Sequence, residues 1–261
     1  MKRHIKYTVI CKTIPEYSKR DGVLYTCSIG YSKELGGLCR LYPLPITGID
    51  KWQTYELEVE RNKYDSRQES WKLSTMARKD GWANLTEDVV HIGSVSPEHI
   101  SRFLQGQIVP GIGYLNDMRA SIGILHIREK NLYVAANKRM KNVAQLPLFE
   151  DVGIEVDLAK WADYTKETKP TVLRIHFRDG DGLHDLQLNE WHLYRGIEKF
   201  GTIDLSLYQK RNLLLVGNMH QHRSTWIGLG VYKEHRILQK ELFHVDSAHV
   251  LLPLRHDDGS P

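Results

Sequence analysis

The sequence predicts an α+β protein: an N-terminal antiparallel β-barrel-like region, then a mixed α+β region with two hairpins around a capped helix. Three observations carry that expectation. Four short runs rich in β-branched and aromatic residues fill the first 75 positions, with glycine-containing turn signals between them. Past position 170 the strand pattern returns as two pairs of runs. Between those pairs lies a helical segment opened by an asparagine and closed by a glycine.

Taken in order, "YTVICKTIP", "VLYTCSIG", "LCRLYPLP" and "TYELEVERN" supply the first strands, broken at Arg20-Asp21-Gly22, Gly36-Gly37 and Thr47-Gly48. In the last run Tyr55, Leu57 and Val59 alternate with Glu56, Glu58 and Glu60, so one face meets core and the other meets water. Ser96 and Pro97 open a short helix that runs to Leu104, and "VDLAKWADYTKE" forms a second amphipathic helix ending before Pro170. "ASIGILHI" and "NLYVAAN" are expected to pair around Arg128-Glu129-Lys130, with "NVAQLPLFED" as a connector. "TVLRIHFR" and "LHDLQL" form a hairpin across "DGDG". Asn189 caps "EWHLYRGIEKF", which stops at Gly201; "DLSLYQKR" adds a helical turn. "NLLLVGN" and "STWIGLGVYK" make the second pair. The boundaries fall at 1–75, 76–150 and 151–261.

A hydrophobic content of 41% with 26% charged residues is ordinary for a globular chain and excludes disordered and fibrous classes. No window holds the roughly 18 uninterrupted apolar residues of a spanning helix, and the start lacks a leader pattern, so a cytoplasmic protein with no membrane partner is expected. Cys11, Cys27 and Cys39 lie in alternating apolar runs without C-x-x-C spacing and read as buried thiols. The net charge of +4 comes from the first 80 residues, which hold 15 Lys+Arg against 10 Asp+Glu.

The strongest chemical pattern concerns anions. On "TVLRIHFR", Arg174, His176 and Arg178 share one strand face, opposite Leu173, Ile175 and Phe177. Guanidiniums grip phosphate bidentately, and a basic β-face suits a nucleic-acid strand or a nucleotide. Arg40 in "LCRLYPLP" and Arg61, Lys63 and Arg67 in "ERNKYDSRQES" add charge, with Tyr42, Tyr64 and Trp71 as stacking candidates. Arg223 and Trp226, in "GNMHQHRSTW", would meet a phosphate and a base.

That same stretch places His220 and His222 two residues apart after the apolar run Leu213–Val216, so a continued strand would turn both imidazoles one way. They could serve as acid and base, or as metal ligands with Glu190 or Asp181 assisting. The two H-x-S matches, at His99 and His222, are no more than 13 histidines produce by chance. "DGDGLHDLQLNE" resembles a calcium loop at positions 1, 3 and 12, but Leu183 and His184 stand where an oxygen ligand and a glycine belong. No resident metal or cofactor is expected; a divalent ion enters only with the enzyme reading.

The blocks "KTIPEYSKRDG", "CRLYPLP" and "RNKYDSRQES" resemble those of uncharacterised bacterial and phage proteins, in which an R-L-Y-P strand precedes a D-x-R-x-E-S segment. The resemblance covers most of the N-terminal third and extends to "HDLQLNEW" and "LLVGNM". It implies no activity, and its association with mobile elements points toward nucleic acid. Relatives are expected to carry cysteines before the histidine at His184, a zinc-like arrangement; "RDGDGLHDLQLNEW" has none.

The reading is therefore a protein that binds a nucleic acid or nucleotide phosphate through Arg40, Arg67, Arg174, His176, Arg178, Arg223 and Trp226, in a phage or defence setting. Whether it is an enzyme stays open. One alternative is a metal-dependent or histidine-based phosphodiesterase or nuclease using His220, His222 and Glu190; the other is an inhibitor that binds a protein partner.

Overall fold

The structure, a computed structural model, describes residues 2–18, 23–45, 48–74, 89–136, 171–193, 211–220 and 222–234. These are mostly β, with few helices, and five strands close into a barrel at the N-terminus.

The barrel strands are β1 (Lys2–Lys12), β3 (Val23–Ser32), β4 (Gly37–Pro45), β5 (Gln53–Arg61) and β6 (Ser70–Leu73), in the cyclic order β1-β3-β4-β6-β5. A short β2 (Glu16–Ser18) extends β3, and β7 (Val89–Ser94) adds to β5. The sequence predicted an antiparallel barrel. One pair, β4 with β6, is instead parallel, with Arg40 opposite Ser70. Closure requires it: five strands cannot alternate in direction all the way round.

Alternation explains the barrel interior. Tyr55, Leu57 and Val59 point inward beside Ile5, Tyr7 and Val9 of the paired β1. Glu56, Glu58 and Glu60 face outward to Lys6, Lys2 and Lys72, as a solvated face should. The Tyr7 ring crosses so close to Gly30 that an added Cβ there would lie 2.4 Å from it, so only glycine fits.

A middle sheet stacks on the barrel and an outer sheet stacks on the middle one. The first has the order β14-β13-β9-β8, from β8 (Ile108–Val109), β9 (Ile122–His126), β13 (Leu213–Asn218) and β14 (Trp226–Tyr232). The second has the order β10-β11-β12, from β10 (Arg128–Ala136), β11 (Thr171–Arg178) and β12 (Leu183–Gln187). The run Leu213–Val216 is apolar throughout because β13 is buried on both faces. Leu213 and Leu215 meet Ile10, Cys11 and Ile29 of the barrel, while Leu214 and Val216 meet Leu173, Ile175 and Phe177 of β11. The protein is thus layered as barrel, middle sheet and outer sheet. Helix α1 (Pro97–Gln105) is capped by Ser96, whose side chain accepts the His99 N–H, and buries Ile100 and Leu104 on the barrel side; α2 (Ile112–Asp117) buries Leu115 on the other.

Several expectations change at this level. "ASIGILHI" and "NLYVAAN" are strands, but they do not pair with each other: β9 pairs with β13 in the middle sheet and β10 with β11 in the outer one. Alternation reports a strand and not its neighbour. Both hairpins form in register, β11 with β12 and β13 with β14. Strands from either side of position 150 combine in both sheets, so the regions 76–150 and 151–261 share one core. Helical residues begin at 191, and the side-chain oxygen of Asn189 accepts the Ile14 N–H of the barrel at 3.2 Å. The expected helix in "VDLAKWADYTKE", the connector "NVAQLPLFED" and the turn "DLSLYQ" lie outside the described residues, as does the end of the helix at Gly201.

Candidate functional site

Arg174, His176 and Arg178 lie together on the outward face of the outer sheet, because Leu173, Ile175 and Phe177 are drawn into the core. Strand register extends the row. Arg174 stands between Tyr133 and Gln187, His176 between Asn131 and Asp185, and Arg178 between Arg128 and Leu183. The face therefore carries three guanidiniums and an imidazole on two adjacent strands. Two carboxylates partly balance them. Asp185 accepts from Arg174 Nε at 3.1 Å and from the Tyr133 hydroxyl at 3.0 Å, and Glu129 accepts from Arg178 Nε at 2.8 Å. The Asp185 bond raises the Arg174 pKa above its ordinary value. Arg128 and His176 have no hydrogen bond or ion pair among the described residues. Arg128 and Tyr133 were missed in the sequence because only the register across β10 and β11 reveals them.

Arg40 and Arg67 are elsewhere and are buried, each 6% exposed. Both donate to the carbonyl oxygen of Asn218, Arg67 Nη1 at 2.8 Å and Arg40 Nη1 at 3.4 Å, and Arg40 Nη2 donates to the Ser121 carbonyl at 3.1 Å. Desolvation lowers the Arg40 pKa. Arg67 also clasps Asp65 bidentately, through Nε at 2.9 Å and Nη2 at 2.6 Å. Burial would raise the Asp65 carboxyl, but the Arg67 hydrogen bonds outweigh it and hold the group down at about 2. Glu69 caps the same junction by accepting from Ser121 N at 3.1 Å and Ser121 Oγ at 2.9 Å. These arginines fasten barrel to middle sheet and present no free face to a phosphate.

At the rim of that junction sit the histidines of the β13–β14 turn. His220 Nε2 lies 3.8 Å from Asp65 Oδ1, His222 is exposed with no partner for its ring among the described residues, and Arg223 Nη2 donates to Ser66 Oγ at 2.6 Å. Asn218 ends β13, so the strand does not continue through both imidazoles. Glu190 is not brought to them. It is 5% exposed and forms an ion pair with Lys51, whose ammonium also lies over the Trp52 and Tyr232 rings. Tyr232 pairs with Leu213, five residues along β13 from Asn218, or about 17 Å. Trp226, expected to stack a base, is 5% exposed in the core and donates its indole N–H to Asn116 Oδ1 at 2.9 Å.

The "DGDG" turn has a structural task. Asp179, with a fully buried carboxylate, accepts from Ile112 N at 3.2 Å, Asp181 N at 2.8 Å and His184 Nε2 at 2.9 Å. Asp181 accepts the Gly113 N–H. The turn is thereby fixed to the start of α2, and Gly180 passes so close to Pro110 that a Cβ would lie 2.4 Å from its carbonyl oxygen. Among the described residues no group of three His, Cys, Asp or Glu side chains is placed to hold a metal ion. No helix among them is long and apolar enough to cross a membrane.

No curated protein shows a significant match to the chain. A family model described as a domain of unknown function (DUF8758) matches residues 3–88, the stretch that holds β1 to β6 and closes the barrel. The blocks "KTIPEYSKRDG", "CRLYPLP" and "RNKYDSRQES" all fall inside that match, in keeping with similarity to an uncharacterised family.

Proposed function

We propose that the chain binds a nucleic acid or nucleotide phosphate on the outward face of the β10–β11–β12 sheet. The observation that supports this reading is Arg128 directly opposite Arg178, with Arg174 and His176 alongside and, among the described residues, only Glu129 and Asp185 to offset them. Like charges opposed across a strand pair cost stability, and a phosphodiester backbone supplies the missing anions. Tyr133 adds a ring beside Arg174 on the same face.

Anisotropy of labelled DNA and RNA oligonucleotides tests it. Affinity should fall with salt at a log-log slope of about 0.7 to 0.9 per phosphate contacted. Arg128→Ala and Arg178→Ala should each lower that slope by about one contact. No binding to any oligonucleotide or nucleotide at low salt removes the reading.

The approach of His220 to Asp65 favours a second reading, a histidine-based phosphodiesterase in which the carboxylate orients the imidazole. Product formation from a phosphodiester, abolished in His220→Ala, would support it; undiminished turnover in that variant would remove it.

A further inference from the structure

The junction that Arg40 and Arg67 fasten also builds an exposed rim from two loops distant in sequence. Residues 62–66, after β5, carry Lys63 and Tyr64; the turn after β13 carries Met219, His220, His222 and Arg223. They meet through Arg223 and Ser66 at 2.6 Å and through His220 and Asp65 at 3.8 Å. Tyr64 is 89% exposed, the most exposed large hydrophobic side chain among the described residues. Asn62 Oδ1 accepts the Tyr64 N–H at 3.1 Å and shapes the local turn.

Cations outnumber carboxylates at the rim, Lys63, Arg67 and Arg223 against Asp65 and Glu69. The Asp65 carboxylate is paired with Arg67, and Glu69 accepts from Ser121 at the junction. Arg223 is held by a neutral hydroxyl, and Lys63 has no partner among the described residues. Two cations and two imidazoles therefore share these two loops with an aromatic ring that is open to solvent. An exposed ring offers a stacking face to a base, and cations on the same rim suit the phosphates on either side of it.

We infer that this rim is a second contact on the nucleic acid and that the strand it receives is single. One unstacked base lies on the Tyr64 ring, while Arg223 and Lys63 meet the adjoining phosphates. A duplex keeps its bases stacked on each other and offers none to the ring. The inference rests on the nucleic-acid reading above and adds the class of strand.

Single-stranded 12-mers containing 5-bromouracil, compared with blunt duplexes of the same sequence, test it by anisotropy and photo-cross-linking. Tyr64→Ala should weaken single-strand binding about tenfold and leave duplex binding unchanged, with Tyr64→Phe close to wild type. Cross-links should map to Tyr64 or its neighbours in 62–66 and 219–225. Lys63→Ala and Arg223→Ala should each lower the salt slope by about one contact. Full single-strand affinity in Tyr64→Ala, with cross-links confined to 131–133 and 174–178, overturns the rim and leaves the sheet face standing. Absence of binding to either form overturns both.

Discussion

The Arg67 guanidinium reaches the Asn218 carbonyl at 2.8 Å across 151 positions of sequence, while its other nitrogens clasp Asp65. Arg67→Ala leaves a carboxylate that is 8% exposed without its cation. The expected cost is about 3 to 5 kcal/mol by urea unfolding. The double variant Asp65→Asn/Arg67→Met should cost clearly less than the sum of its parts. Additive losses would show that the pair is not coupled.

Asp65 also sets an acid limit. Its carboxyl titrates at about 2 when folded against a usual 3.8, so the folded state binds its proton less readily than the unfolded chain. The stabilisation is complete above the unfolded value and is lost as pH falls from about 4 toward 2. Urea midpoints of wild type should drop over that window more steeply than those of Asp65→Asn.

Lys12 works in the opposite range. Its ammonium is 3% exposed and donates to the Ile49 carbonyl at 2.8 Å, and burial lowers its pKa from 10.5 to about 8. Between about pH 8 and 10.5 the unfolded chain holds the proton that the folded protein releases, so stability rises with pH there. Lys12→Met should flatten the midpoint over this interval. An unchanged slope would place the titration elsewhere.

Glu190 contributes to stability through Lys51. Glu190 is buried and Lys51 half-buried, and Glu190→Ala strands the Lys51 ammonium at an expected cost of about 3 to 5 kcal/mol. For a chain of this size that is a fall in Tm of very roughly 10 °C. Lys51→Met/Glu190→Leu should recover most of the loss. A double variant no more stable than the single would contradict the pairing.

Asp179 should behave as a structural carboxylate. Asp179→Ala frees the N–H groups of Ile112, Asp181 and Gly182 and the His184 ring, with an expected loss of about 2 to 4 kcal/mol. Millimolar calcium should leave the wild-type Tm unmoved, since these oxygens already have partners. A rise in Tm with calcium would restore the loop as a cation site.

Local periodicity determined much of this protein by itself. The four barrel strands quoted from the first 75 residues, the inward set Tyr55, Leu57 and Val59, the capped start of α1 at Ser96 and both hairpins follow from alternation and turn chemistry, which act over a few residues. The basic row of Arg174, His176 and Arg178 was legible for the same reason. Partners between distant strands were not. The parallel β4–β6 pair, the separation of β9 from β10 and the addition of Arg128 and Tyr133 to the basic face depend on register across long stretches of chain, which no local pattern encodes. Burial was equally beyond the sequence. Arg40, Arg67 and Trp226 have the chemistry of a ligand site, but the stacking of barrel on sheet turns the two arginines toward main-chain carbonyls and the indole toward Asn116. Tertiary packing leaves the ring of Tyr64 and the guanidinium of Arg223 exposed at the rim.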